Sequence, residues 1–210
     1  MHDLVIRDAK IVDGSGAAAA YGDVAVDDGK IVQVNGAKAA AGRREINANG
    51  ALLTPGWVDV HTHYDGQCTW DPYLSPSSWH GVTTAVMGNC GVGFAPVKPQ
   101  MREWLIQLME GVEDIPNAAL SEGIKWQWET FPEYMDALER MPRALDIGCQ
   151  VPHGALRPYV MGENGVESND ATSEEIEEMR RITREALLAG ALGFSTSRTL
   201  IHKGADGKYV

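Results

Sequence analysis

Long apolar runs, paired cysteines, an excess of basic residues and an abundance of aromatic side chains are all missing from this 210-residue chain. No stretch is apolar for the roughly 20 residues that a bilayer-spanning helix needs. The amino terminus, Met1-His2-Asp3, lacks the basic, apolar and small-residue order of a signal peptide, so the expected location is cytoplasmic. Lys and Arg total 18 against 29 Asp and Glu, a formal net charge of -11. A nucleic-acid backbone or an anionic membrane would be approached against that field, and neither is an expected partner. The three cysteines, Cys68, Cys90 and Cys149, are odd in number and widely spaced. They form no disulfide framework, and at least one is a free thiol. What remains is 44% hydrophobic, enough to build a real core.

Residues 1–55 read as a small β-rich module. LVIRDAKIVDGSG and GDVAVDDGKIVQVNG alternate apolar and polar positions, and Asp28-Gly29 between two such runs predicts a tight hairpin. A linker rich in Ala and Gly follows at 36–42, and from residue 56 to 210 the pattern changes. Four short apolar segments, GWVDVHTH, GVTTAVMGNC, ALDIGCQVPH and GALGFSTS, each run into a polar or glycine-rich loop and are separated by helical patterns. The clearest helix is predicted over Ser173–Ala189, where Thr172 and Glu175 have capping-box spacing and Gly190 stands at the end. A second is predicted over Phe131–Met141 behind Thr130 and Glu133, and a third in KPQMREWLIQLME. Strands alternating with helices imply parallel pairing, hence an α/β sheet or barrel with its ligands at the carboxyl ends of the strands.

Those ends carry the chain's reactive side chains. Along the first strand Trp57, Asp59, His61 and His63 share one face while Val58, Val60 and Thr62 share the other, so the valines are expected under helices and the imidazoles toward the interior. Two neutral imidazoles side by side on a rigid strand can bind one divalent cation. The bland alternative is a pair of histidines satisfied by hydrogen bonds. Cys90 ends the second strand between glycines and is a candidate thiolate ligand, against the reading of a small buried hydrophobe. Cys149 is read as core and Cys68 as a loop or pocket-wall residue. Asp65 and Gln67 are close enough to orient the imidazoles, unless Asp65 simply forms a turn. His153 ends the third strand, as pocket lining or as a structural hydrogen bonder, and Ser195 and Ser197 end the fourth. His202 is expected in a loop bordering the pocket, and His80 at the opposite end of the sheet. Trp126 and Trp128, close together in a chain with 7% aromatic residues, are either a pocket wall or an anchor for the next helix.

LLTPGWVDVHTHYDGQ behind a small β module resembles the amidohydrolase superfamily. GVTTAVMGNCGVGFAPV, EDIPNAALSEGIKWQWETFPEYMDAL, VPHGALRPYVMG and GALGFSTSRTLIHK are similar to its D-aminoacylase branch, the N-acyl-D-amino-acid deacylases. The resemblance implies an α/β fold: a partial TIM-type (β/α) barrel of about four β/α units, preceded by a small N-terminal β-sandwich module. It implies Zn2+ as cofactor and an N-acyl amino acid as substrate, cleaved at the amide to a carboxylate and a free D-amino acid. His61 and His63 match the branch's metal ligands, and Cys90 matches the cysteine that replaces a bridging carbamylated lysine. His153, Ser195 and Ser197 are its substrate-binding candidates here. The branch's remaining histidines and its aspartate general base belong to later strands, so no catalytic base is expected in these residues and the chain alone is expected to have little activity.

Two other readings stand beside this one. A cyclic-amide hydrolase of the dihydropyrimidinase type shares the paired histidines but needs a lysine on the fourth strand, and GALGFSTS has none. A half-barrel with an open apolar face and two edges is the third reading, as a non-catalytic protein or a homo-oligomer.

Overall fold

The structure is a computed structural model that describes residues 1–34, 38–167 and 170–199. The chain divides into two compact units, Met1–Gly56 and Trp57–Val210.

The first unit is a mixed sheet of β1 (His2–Ile11), β2 (Ala20–Asp27), β3 (Lys30–Val34), β4 (Gly42–Asn47) and β5 (Leu52–Leu53). Its order is β3-β2-β1-β4, with β5 also on β1. The strands β1, β2 and β3 pair antiparallel in sequence, while β4 and β5 run parallel to β1. The predicted hairpin is present. Asp28 (φ 49°) and Gly29 (φ 71°) both take the left-handed conformation that a two-residue turn of this hand demands. Val5, Ala9, Ile11, Val24 and Ala25 supply the buried face. Where β1 bulges between Ile6 and Ala9, the Arg7 guanidinium reaches Asp23 at 2.7 Å and Glu45 at 2.6 Å, joining β1 to β2 and β4. Among the described residues these strands form one sheet, where the sequence suggested a sandwich. The linker's first residues, 36 and 37, lie outside the described residues.

The second unit alternates strands and helices: β6 (Trp57–Asp59), β7 (Val82–Met87), α1 (Arg102–Glu113), α2 (Asn117–Gly123), α3 (Phe131–Glu139), β8 (Asp146–Pro152), α4 (His153–Met161), α5 (Glu163–Val166), α6 (Ser173–Leu188) and β9 (Gly193–Ser195). The four strands are parallel in the order β6-β7-β8-β9, a curled half-barrel sheet with helices. Both predicted capping boxes are formed. Thr130 caps α3 and Thr172 caps α6, each through the backbone N–H of the glutamate three residues on. The third predicted helix is α1, which starts later and runs further than KPQMREWLIQLME suggests, stopping where Asp114 turns left-handed at φ 54°.

The core lies between the sheet and these helices, with Met87, Cys149 and Val151 from the strands against Leu105, Met109, Leu120, Phe131, Tyr134 and Leu156. Cys149 is core, as expected. Cys68 joins the same core instead of lining a pocket. Its Sγ lies 3.4 Å from the Asp65 carbonyl and 3.8 Å from the Tyr134 hydroxyl, and burial pushes the thiol up to about 12. Of the tryptophan pair, Trp128 is the anchor. It is buried, donates from Nε1 to the Phe94 carbonyl at 2.7 Å and packs its ring 4.8 Å from Tyr134.

The valines of the first barrel strand depart from expectation. Val58 and Val60 are 57% and 69% exposed instead of lying under helices. The β6–β7 connection contains two short 3₁₀ turns, Gln67–Thr69 and Ser77–His80, and no α-helix, so nothing in it crosses back over β6. A right-handed crossover covers a strand only when it carries a helix long enough to lie on the sheet.

Candidate metal centre

Thr62 sets the direction of the two histidines. Its N–H and its hydroxyl both donate to the Val86 carbonyl, at 2.9 and 2.8 Å, and the residue is buried. β6 ends at Asp59, short of the predicted strand, so His61 and His63 lie in the segment beyond it, and with Thr62 held to β7 their imidazoles come together with Cys90. Asn89 then locks the next turn. Its Nδ2 donates to the carbonyls of Thr62 (3.2 Å) and Val86 (2.9 Å), and its Oδ1 accepts from Gln150 Nε2 on β8 at 2.7 Å. Gly88 makes this approach possible: at φ 76°, a Cβ there would lie 2.2 Å from the Gln150 carbonyl oxygen. Cys90 is itself held left-handed at φ 54°, a conformation that costs a non-glycine residue about 1 kcal/mol and persists where the surroundings enforce it.

The result is a cluster. His61 Nε2 lies 3.2 Å from Cys90 Sγ, and the two imidazole rings are 5.4 Å apart. One donor atom each from His61, His63 and Cys90 fall within 4.8 Å of one another. Two nitrogens and a sulfur converging at such separations match the donor set and spacing of a zinc site, so the residues fit the metal. Burial, and then the charge of Glu113, raise the Cys90 thiol above its usual range in the absence of a cation.

Glu113 is the site residue that sequence reasoning missed. Its Oε1 is 3.2 Å from His63 Nε2, and both side chains are largely buried. It closes α1 in a last turn that carries no basic residue. A carboxylate there opposes the helix dipole, and that unfavourable placement was the available signal. The partners proposed in its stead do other work. Gln67 spends its amide on Asp71 and on the Ser75 carbonyl, each at 2.9 Å, because the chain turns immediately after it. Asp65 is buried, with Oδ2 making no hydrogen bond, and burial pushes its carboxyl up to about 7. Its carbonyl accepts from the Tyr134 hydroxyl at 2.8 Å, fixing the loop to α3 and not to an imidazole.

The ends of β8 and β9 meet the same turn. Ser195 Oγ donates to the Gly88 carbonyl and accepts from the Gly91 N–H at 3.1 Å, while the Gly154 N–H donates to the Gly91 carbonyl at 2.7 Å. Ser195 therefore holds the cysteine turn in place. Ser197 is half-buried, and its backbone nitrogen lies 3.3 Å from where a Cβ on Gly91 would stand. His153 opens α4, and its Nδ1 lies 3.2 Å from Thr196 Oγ1. Burial, followed by the charges of Arg157 and Arg198, lowers its pKa. His80 is exposed in the turn that precedes β7, at the other end of that strand, and His202 lies outside the described residues.

Residues 44–207 match the Amidohydrolase family. The chain is 33% identical to the D-aminoacylase of Alcaligenes xylosoxydans xylosoxydans over 92% of its own length and 37% of that enzyme's. It is 36% identical to the same organism's N-acyl-D-aspartate deacylase, over 92% of this chain and 36% of that one. Among solved structures, the N-acyl-D-glutamate deacylase of Bordetella bronchiseptica, complexed with zinc and a phosphonate mimic of the tetrahedral intermediate, superposes with a TM-score of 0.75. It is 31% identical over 93% of this chain and 38% of that one. The chain thus spans little more than a third of these relatives.

Proposed function

The chain belongs to the amidohydrolase family, and on that premise we propose that it is the N-terminal part of a zinc-dependent deacylase acting on N-acyl-D-amino acids. The observation that carries this reading is the convergence of His61, His63 and Cys90 from two adjacent strand ends, in a chain resembling D-aminoacylase over nearly all of its length. A divalent cation held there supplies Lewis-acid chemistry, polarising the amide carbonyl and making water nucleophilic at neutral pH.

The chain's own residues contribute binding and orientation. His61 and His63 offer neutral imidazole nitrogens, and Cys90 offers a thiolate after losing its proton on binding. Thr62 and Asn89 keep these donors in register. His153 and Ser197, past the carboxyl ends of β8 and β9, are the proposed lining of the substrate pocket, while Ser195 fixes the cysteine turn. The general base and the remaining ligands are assigned to segments of the full-length relatives that these residues do not span. The proposed setting is cytoplasmic, and no helix among the described residues is long and apolar enough to cross a membrane.

Elemental analysis of the purified chain after dialysis against zinc, with N-acetyl-D-amino acids assayed in parallel, tests the reading. Near-stoichiometric zinc that disappears in His61→Ala and in Cys90→Ser, with little hydrolysis, is the expected result. A zinc content untouched by both substitutions would remove its basis. Fast zinc-dependent hydrolysis by these 210 residues alone would overturn the assignment of the base to another segment.

A further inference from the structure

Basic side chains are scarce in this chain, 18 against 29 acids, yet two arginines flank His153 past the carboxyl ends of β8 and β9. Arg157 lies four residues beyond His153 in α4, one turn along the same face. Arg198 lies two residues beyond Thr196, whose Oγ1 is 3.2 Å from His153 Nδ1. The imidazole also stands 5.7 Å from the ring of Phe194 in β9, so it bridges the helix that carries one arginine and the strand end that leads to the other. This group borders the metal centre. Gly91, next to Cys90, gives its carbonyl to the Gly154 N–H at 2.7 Å, and a Cβ on it would stand 3.1 Å from Thr196 Cα. An N-acyl amino acid carries its carboxylate one Cα beyond the scissile amide nitrogen, so a side chain that reads this charge must lie close to the metal. Resting on the deacylase reading for its substrate, we propose that Arg198, with Arg157 and His153 beside it, binds a carboxylate of the substrate and so selects anionic N-acyl compounds over neutral amides.

Arg7, Arg43, Arg180 and Arg181 each pair with an acid of their own. Arg198 is exposed and makes no ion pair among the described residues. Its charge and that of Arg157 both act on His153, adding to burial in keeping the ring neutral. Two cations close enough to act on one ring repel each other, and an anion between them removes that cost. A guanidinium also presents a planar fork of donors matched to the two oxygens of a carboxylate. The carboxylate read in this way sits either on the amino acid or on the acyl group, since both flank the scissile amide.

The test is an NMR titration of the zinc-free 210-residue chain, where no cation can capture the probe, following the imidazole resonances of His153. Three probes are compared: N-acetyl-D-alanine, with its carboxylate on the amino acid; N-succinyl-D-alaninamide, with its carboxylate on the acyl group; and the neutral N-acetyl-D-alaninamide. Saturable shifts at His153 are expected with a carboxylate probe and not with the neutral amide, and the probe that binds more tightly fixes the side of the amide that Arg198 reads. Arg198→Gln is expected to weaken that binding at least about tenfold, and Arg198→Lys, which keeps the charge without the fork, to fall between. Arg184→Gln removes the same charge from an exposed position on α6 and should leave binding unchanged. Circular dichroism of each variant separates misfolding from loss of the ligand. Equal shifts with the neutral amide, equal effects of Arg198→Gln and Arg184→Gln, or no saturable shift with either carboxylate would overturn the proposal. If carboxylate binding is absent while zinc uptake is lost in His61→Ala, the subsite alone is wrong; if carboxylate binding depends on Arg198 while zinc content is untouched by His61→Ala and Cys90→Ser, the deacylase reading falls and the anion subsite stands.

Discussion

Asn89 Nδ2 donates to the Thr62 carbonyl at 3.2 Å, and through this bond the strand end that bears His61 and His63 is tied to the turn that bears Cys90. The same amide also serves Val86 and Gln150, so one buried side chain connects three consecutive strands behind the donors.

Asn89→Ala leaves the Thr62 carbonyl and the Gln150 amide without this partner. A loss of about 1 to 3 kcal/mol in urea unfolding is expected, together with weaker zinc binding. Asn89→Asp keeps the acceptor for Gln150 but sets a carboxylate against two carbonyls, and should be at least as destabilising. Unchanged unfolding midpoints in both variants would show that the bonds carry no weight.

Gly88→Ala combines a left-handed backbone with a Cβ placed against the Gln150 carbonyl oxygen. Backbone cannot yield as a flexible side chain can. A cost of about 3 kcal/mol or more is expected, seen as an early urea midpoint or as insoluble protein. The comparison is Gly29→Ala, also left-handed but with nothing within 4 Å of its Cβ, which should cost only about 1 kcal/mol.

Val58→Thr and Val60→Thr should each change stability by no more than about 0.5 kcal/mol, because both side chains are already exposed. Met87→Ala on the adjacent strand β7 removes a fully buried side chain and should cost about 2 to 5 kcal/mol. Equal losses for Val58 and Met87 would place Val58 in a core.

The Arg7 cluster predicts an acid limb. Its guanidinium holds Glu45 down from 4.5 to about 2 and also lowers Asp23. Folded-state pKa values below the unfolded ones mean that the contribution is complete above about 4.5 and is lost as pH falls from there toward 2. The difference in urea midpoint between wild type and Arg7→Met should be largest at neutral pH and shrink through that window. A difference that does not vary with pH would remove the carboxylates from the explanation.

Legibility followed the reach of each signal. The Asp28-Gly29 turn and the Thr130 and Thr172 capping boxes depend on residues within three or four positions, and the structure forms all of them. Asp65 and Gln67 show the limit of proximity as a guide. Both are adjacent in sequence to the histidines, yet one serves α3 through its carbonyl and the other its own turn. Glu113, fifty residues beyond His63, is the acid that arrives.

By itself, then, the sequence determined the close spacing of His61 and His63, the glycines around Cys90, and the caps and turns that punctuate the helices, because each is a local rule of backbone and side chain. Tertiary structure alone decided that Asn89 would bridge three strands, that α1 would end with Glu113 against His63, and that Val58 and Val60 would lie exposed. Those outcomes depend on helix length, on strand register and on what each crossover covers, and no short window of residues encodes them.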